Sequence, residues 1–236
     1  DYWPQWQNEL DRNLFNTTDT KKSDKRIKEI SKKYKDVIEK YKLEQFIVQK
    51  QTDETLEYTK KLGLKLIADR QVAFSDRDNW AYQSLFLEGW CLGCPPDYFS
   101  EDGQAWGFPV MDPEQLFNPD GTLGEAGKLM KALYVKMFTE SPGGVRIDHM
   151  VGLIAPWVYK AGHKPKIEEG AGRLYSSPEH PILLRYAVAR MENINNEVEA
   201  DKEERIVNLD DEQVKKYGRL VEKIVIGAAE EVGLDK

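Results

Sequence analysis

Ile27, Ile30, Tyr34, Val37, Ile38 and Tyr41 recur at steps of three and four among charged positions, which predicts an amphipathic helix with its charges on the outer face. The short apolar run Phe46-Ile47-Val48 follows and reads as a strand. Thr52, Asp53 and Glu54 carry a helix-start signal, because a hydroxyl caps and acids suit the positive end of the dipole; Gly63 ends the helix they open. Leu64, Leu66 and Ile67 lead into Asp69. Residues 46–69 thus read as strand, helix, strand, an order that favours parallel pairing and an α/β architecture with a carboxylate at a strand end.

From Phe74 to about Thr122 the periodicity disappears, and Gly, Pro, Asp and aromatic residues dominate roughly fifty positions, a length that points to a functional loop or a subdomain. Leu129, Leu133 and Met137, with Met130, Tyr134 and Phe138 beside them, restore a helical pattern that Pro142-Gly143-Gly144 terminates. Val145-Arg146-Ile147-Asp148-His149 is a second short strand running into a carboxylate. Residues 163–181 read as loop and Ile182 to Met191 as helix. Val214, Tyr217, Val221, Ile224, Val225 and Ala228 mark a last amphipathic helix opened by Asp210 to Gln213. No internal repeat is visible.

The 236 residues suit one large domain or two small ones, and 40% apolar with 32% charged residues suits a core under a solvated surface. The net charge is -7, and the basic stretch from Lys21 to Lys35 reads as one solvated helix face, so neither nucleic acid nor another polyanion is an expected partner. No apolar run approaches the roughly 20 residues that cross a bilayer. The opening Asp1-Tyr2-Trp3-Pro4 lacks the regions of a signal peptide, so no membrane partner and a cytoplasmic location are expected. Cys91 and Cys94 form a lone CxxC running into Pro95-Pro96, which reads as two reduced thiols in a loop, with no metal implied. Six tryptophans stand within an aromatic share of 11%, several of them in Gly- and Asp-rich stretches. That setting suits sugars, whose flat C–H faces pair with aromatic platforms and a few convergent polar groups.

Arg146 and Asp148 stand two apart on a strand and so point to one face. Two readings stay open on spacing alone: a buried ion pair that holds a strand end, or a carboxylate kept charged for use as a nucleophile.

Three blocks, in order, carry a resemblance to the amylomaltases or 4-alpha-glucanotransferases, the disproportionating enzymes of glycoside hydrolase family 77. The stretch from Leu66 to Phe86, with Asp69, Asp78, Trp80, Ala81, Leu85 and Phe86, resembles the family's third-strand region. Pro95-Pro96-Asp97-Tyr98-Phe99-Ser100 and Gly103-Gln104-Ala105-Trp106-Gly107 are similar to its most distinctive loop, and Arg146 to Gly152 to its fourth-strand motif. The resemblance implies an α/β fold, part of a (β/α)8 TIM barrel spanning 1–236, with the long aromatic-rich loop or subdomain of 74–122 inserted after one strand. It implies Asp148 as the catalytic nucleophile of a retaining double displacement on α-1,4-glucans. Arg146 then positions Asp148, His149 hydrogen-bonds the donor sugar, Gln104 reaches hydroxyls, and Trp106, Tyr98 and Phe99 contact glucose rings. Maltooligosaccharides are the implied substrates, and no cofactor is implied, because carboxylates suffice for glycosyl transfer.

The departures from the family pattern are Arg70-Gln71, Phe108 and Met150-Val151, which bear on acceptor contacts. The resemblance covers only the middle of the family's length, and so sets the acid/base glutamate and a third carboxylate beyond Lys236. Asp69, Asp76, Asp78 and Asp97 take structural or sugar-contact roles in it. A hydrolase of a related barrel family and a non-catalytic glucan-binding piece are the alternatives.

Overall fold

The structure, a computed structural model, describes residues 3–234; Asp1 and Tyr2 of the N-terminal segment considered above, and Asp235 and Lys236, lie outside the described residues. Helix α1 (Glu9–Arg12) is capped by Asn8, whose side chain accepts from the Leu10 and Asp11 amides, and α2 (Thr20–Lys33) by Asp19. At Tyr34 the backbone leaves helical geometry, with φ -112° and ψ 27°, and α3 (Lys35–Lys61) begins at once, so the helix expected across Ile27–Tyr41 is two. Phe46-Ile47-Val48 is not a strand and Thr52 to Glu54 is not a helix start. Both lie inside α3, where the Thr52 hydroxyl donates to the Val48 carbonyl at 3.0 Å. The physical reason is that α3 contains neither glycine nor proline, and three apolar residues in a row carry no period of their own. The helix does end where expected: the Gly63 and Leu64 amides donate to the Lys60 and Thr59 carbonyls, the reciprocal pair of a Schellman stop.

The chain is α/β. Strand β1 (Ala68–Arg70) pairs in parallel with β4 (Val145–Ile147), and the helix that precedes β4, α6 (Glu125–Glu140), packs on α8 (Asp211–Leu220), a π-helical turn (Val221–Ile226) and α9 (Gly227–Glu231). Asp210 and Gln213 cap α8 reciprocally, as the sequence indicates. Met130, Tyr134 and Phe138 of α6 bury against Leu220, Ile224 and Ala228, with Phe74 and Phe86 closing one side. Full burial of one such side chain contributes about 1.5–3 kcal/mol.

The stretch from Phe74 to Thr122 is largely regular. It holds α4 (Asp76–Ala81), β2 (Phe86–Cys94), β3 (Gln104–Met111) and α5 (Pro113–Leu116). Strand β2 pairs antiparallel with β3 on one side and on the other with β5 (Trp157–Lys160), beyond which lies β6 (Gly172–Arg173). Register shifts within β2 and β3 scramble the alternation a strand shows in sequence. Cys91 and Cys94 therefore sit on a strand and not in a loop, and burial pushes both thiols up. Trp90, Leu92, Val110, Val158, Leu174 and Leu183 form a second core on this sheet.

The helix expected over Ile182–Met191 is absent; only the single turns Leu183–Arg185 and Met191–Asn193 form. Its backbone is drawn elsewhere, since the Val188 amide donates to the Tyr175 carbonyl and the Val188 carbonyl accepts from Gln213 Nε2. A four-residue helix, α7 (Val151–Ile154), links β4 to β5. In contrast to both cores, α3 has no buried residue, and Phe46 is 65% exposed.

Candidate functional site

The parallel register sets Asp69 opposite Arg146, and the guanidinium answers both neighbouring carboxylates. Its Nη1 donates to Asp69 Oδ1 and Oδ2 at 2.8 and 2.7 Å, and its Nη2 to Asp148 Oδ1 at 2.8 Å. The Asp148 amide continues the ladder by donating to the Arg70 carbonyl at 2.9 Å, which fixes where the carboxylate leaves the strand. The Asp69 charge, and after it that of Asp148, raises the Arg146 pKa. A buried Arg/Asp pair is not what forms here: the Arg146, Asp69 and Asp148 side chains are 59%, 62% and 53% exposed. Exposed ion pairs add little to folding stability. The cluster holds charge in a fixed geometry at an exposed strand end.

His149 follows in the left-handed region, at φ 56°, which ends the extended backbone of the strand before α7 begins. Its carbonyl accepts from the Gly152 amide at 2.8 Å. Its ring meets Trp106 edge to face, with centroids 5.5 Å apart. Trp106 Nε1 donates to Gln104 Oε1 at 3.2 Å, and these two residues stand two apart on β3. The structure therefore brings Gln104, Trp106 and His149 together, and His149 adjoins Asp148 in the chain. Trp106 also packs on the second core, so part of its side chain is structural.

Tyr98 and Phe99 occupy the turn between β2 and β3, 95% and 90% exposed, with their rings 5.4 Å apart. Among the described residues no ring contact joins them to Trp106 or His149. The turn itself is well tied: Asp97 Oδ1 accepts from the Phe99 and Ser100 amides at 2.9 and 2.7 Å. Asp102 pairs with Lys164 at 2.7 Å and with Lys166, and these two ammonium groups hold its carboxyl well down, at about 2. Spacing gave no sign of this tie, since its partners lie 62 residues apart. The sequence also left unread the sharing of Arg146 by Asp69, although two strands running into carboxylates in parallel were its signal.

Other carboxylates are committed locally. Asp78 Oδ2 accepts from the Ser75 hydroxyl and amide at 2.7 and 3.0 Å to cap α4, and Asp97 holds its turn. Among the described residues no group of three or more His, Cys, Asp or Glu side chains is placed to hold a metal ion. No described helix is long and apolar enough to cross a membrane.

Residues 1–215 match the profile of glycoside hydrolase family 77, described as 4-alpha-glucanotransferase. The chain is 30% identical over 165 residues to the chloroplastic/amyloplastic 4-alpha-glucanotransferase of Solanum tuberosum, covering 66% of this chain and 27% of that protein. It is 26% identical over 191 residues to the 4-alpha-glucanotransferase of Aquifex aeolicus, covering 78% of this chain and 36% of that one. The fold is like that of the amylomaltase from Streptococcus agalactiae solved in complex with acarbose, with TM-score 0.55 and 21% identity over 70% of this chain and 32% of that one. The chain spans about a quarter of the length of the first curated relatives it matches.

Proposed function

This chain belongs to the 4-alpha-glucanotransferase family, glycoside hydrolase family 77, and from that premise we propose that it forms part of a (β/α)8 barrel that moves maltooligosaccharyl units between α-1,4-glucans, with Asp148 as nucleophile. The observation that carries this reading is the single guanidinium of Arg146 held between Asp69 and Asp148 at the ends of adjacent parallel strands, open to a ligand. The end of a parallel strand is where barrels of this kind keep their chemistry.

In the proposed reaction Asp148 attacks the anomeric carbon as the glycosidic bond breaks, and an acid gives its proton to the departing 4-oxygen. The resulting glycosyl ester is opened by the 4-hydroxyl of a second glucan, which surrenders its proton to the same group, now acting as base; two inversions retain the α-configuration. Arg146 orients the Asp148 carboxylate for in-line attack and, by also holding Asp69, cannot rotate away with it. His149 donates to hydroxyls of the donor sugar, Gln104 reaches others, and Trp106 offers an apolar platform. Tyr98 and Phe99, on the segment 74–122 inserted after β1, close over the glycosyl ester and keep water from it, which favours transfer over hydrolysis.

The acid/base role falls to none of Asp69, Asp76, Asp78 or Asp97; Asp69, Asp78 and Asp97 are committed to Arg146, a helix cap and a turn. The reaction needs no cofactor, and the proposal places it in the cytoplasm. The test is Asp148→Asn in the polypeptide that carries this chain, assayed for conversion of maltotriose to longer maltooligosaccharides. The expected loss in kcat is roughly 10³-fold or more. A wild-type rate rejects Asp148 as the nucleophile, and a steady gain of reducing ends in the unsubstituted protein replaces transfer with hydrolysis.

A further inference from the structure

Away from the Asp148 cluster, α5, α7, α8 and the segment from Tyr175 to Val188 line an open cavity of about 270 Å³. Its lining carries one acid, Glu114, and three cations, Arg185, Lys216 and Arg219, in a chain whose net charge is -7. Two of the cations are answered by the protein. Arg185 pairs with Glu114, and Lys216 pairs with Glu212 at 2.8 Å. Arg219 is different. It makes no hydrogen bond or ion pair with any described residue, its Nε is buried without an acceptor, and its guanidinium lies 3.8 Å from the centroid of the Phe117 ring. Arg219 is half-buried, and a cation that loses part of its hydration without a counter-charge favours an anionic partner; stacking on Phe117 offsets only part of that loss. A guanidinium held over a ring is also placed for two-pronged recognition of an anion, phosphate above all.

The rest of the wall is apolar, part aliphatic and part aromatic. Tyr175, Tyr186 and Tyr217 line the cavity, and Arg185 lies 5.0 Å from the centroid of Tyr186. The Tyr217 hydroxyl is already engaged, donating to the Tyr175 carbonyl at 2.8 Å and bonding Ser176 Oγ at 2.7 Å, so that this wall is rigid. Tyrosine faces beside an unanswered guanidinium suit a small ring that carries an anionic group. The volume sits at the lower edge of ordinary ligand sites, roughly 300–1,000 Å³, which admits one sugar ring with its substituent and not a glucan chain.

We propose that this cavity is a binding site for a phosphorylated monosaccharide, with Arg219 on the phosphate and the tyrosines against the sugar ring. The site is separate from the glucan chemistry of Asp148, although α7, which supplies Leu153 and Ile154 to the wall, begins two residues after His149. The inference stands whether or not the transfer reading does, because it is measured as binding, without turnover.

The experiment is calorimetric titration of the intact chain with glucose 6-phosphate, glucose and inorganic phosphate, each alone. Glucose 6-phosphate is expected to bind at least tenfold more tightly than either of the others, with maltotriose failing to displace it. Arg219→Gln is expected to weaken binding at least tenfold, and Arg219→Lys, which keeps the charge and the helix but not the planar fork, to fall between. Unchanged thermal midpoints in both variants keep folding out of the comparison; if Arg219→Gln does not fold, the Arg219→Lys result decides. Equal affinity for inorganic phosphate reduces the site to a plain anion site and overturns the proposal. So do undiminished binding in the variants, displacement by maltotriose, or no binding at all.

Discussion

Arg146 holds two carboxylates with one planar group, and that geometry is the part of it a lysine cannot copy. Arg146→Lys is therefore expected to lower kcat by roughly 10²-fold through misorientation of Asp148, with the thermal midpoint unchanged because the pairs are exposed. Loss of stability without loss of rate contradicts the positioning role. Asp102 gives a second residue-scale expectation. Its folded carboxyl titrates at about 2, below its ordinary value, so the tie to Lys164 and Lys166 is fully present above the unfolded value and is lost as pH falls through about 2. Amide protection of Ser100 and Gly103 is expected to hold at pH 4 and to fail on approach to pH 2, whereas Asp102→Asn fails at both. At Gly103, φ 72°, an added Cβ meets the Cys94 carbonyl oxygen at 2.5 Å, while at Gly89, φ 76°, it meets nothing. Gly103→Ala is expected to cost about 2–4 kcal/mol and Gly89→Ala only about 1–2 kcal/mol, read from urea unfolding.

At the scale of elements, α4 depends on its cap. Ser75→Ala removes the hydroxyl that receives the Asp78 amide, and is expected to cost about 1 kcal/mol. It also loosens Trp80, whose Nε1 donates to the Asp11 carbonyl at 2.9 Å and straps the N-terminal segment down. Faster proteolysis of residues 9–16 is the sign to look for. Elements with local punctuation were legible in the sequence: the Gly63 stop, the α6 stripe, the Asp210/Gln213 start and the short strands at Asp69 and Asp148. What was illegible depended on partners far along the chain. Phe46-Ile47-Val48 looked like a strand because a three-residue apolar run suits either state, and only the absence of a breaker from 35 to 61 decides for helix. Strands β2 and β3 were hidden by bulges, and β5, only four residues long, is recognisable only by its pairing with β2. At the site, Arg146 with Asp148 could be read two apart and Asp69 was signalled only by its place at the end of a second strand, whereas the ring of Trp106 against His149 could not be read, since tertiary packing alone unites them.

Across the whole molecule, the packed half around α6 and the sheet contrasts with α3, where Phe46 and Tyr58 are 65% and 63% exposed. An apolar surface of that kind promotes association, so the chain is expected to bind a hydrophobic dye and to sediment faster as its concentration rises. Phe46→Lys should reduce both while shifting stability by no more than about 0.5 kcal/mol; no change in dye binding places the exposed surface elsewhere. The span of the Arg146–Asp69 bond carries a last consequence, one of timing. Helices α2 and α3 close through neighbours a few residues apart, but this bond joins positions 77 residues apart, and closure of so long a loop comes late and slowly. In refolding, the helical signal should recover first and the charged cluster afterwards. For a measurable interval the chain regains its shape in outline while Arg146 holds Asp148 alone and still lacks Asp69, its second carboxylate.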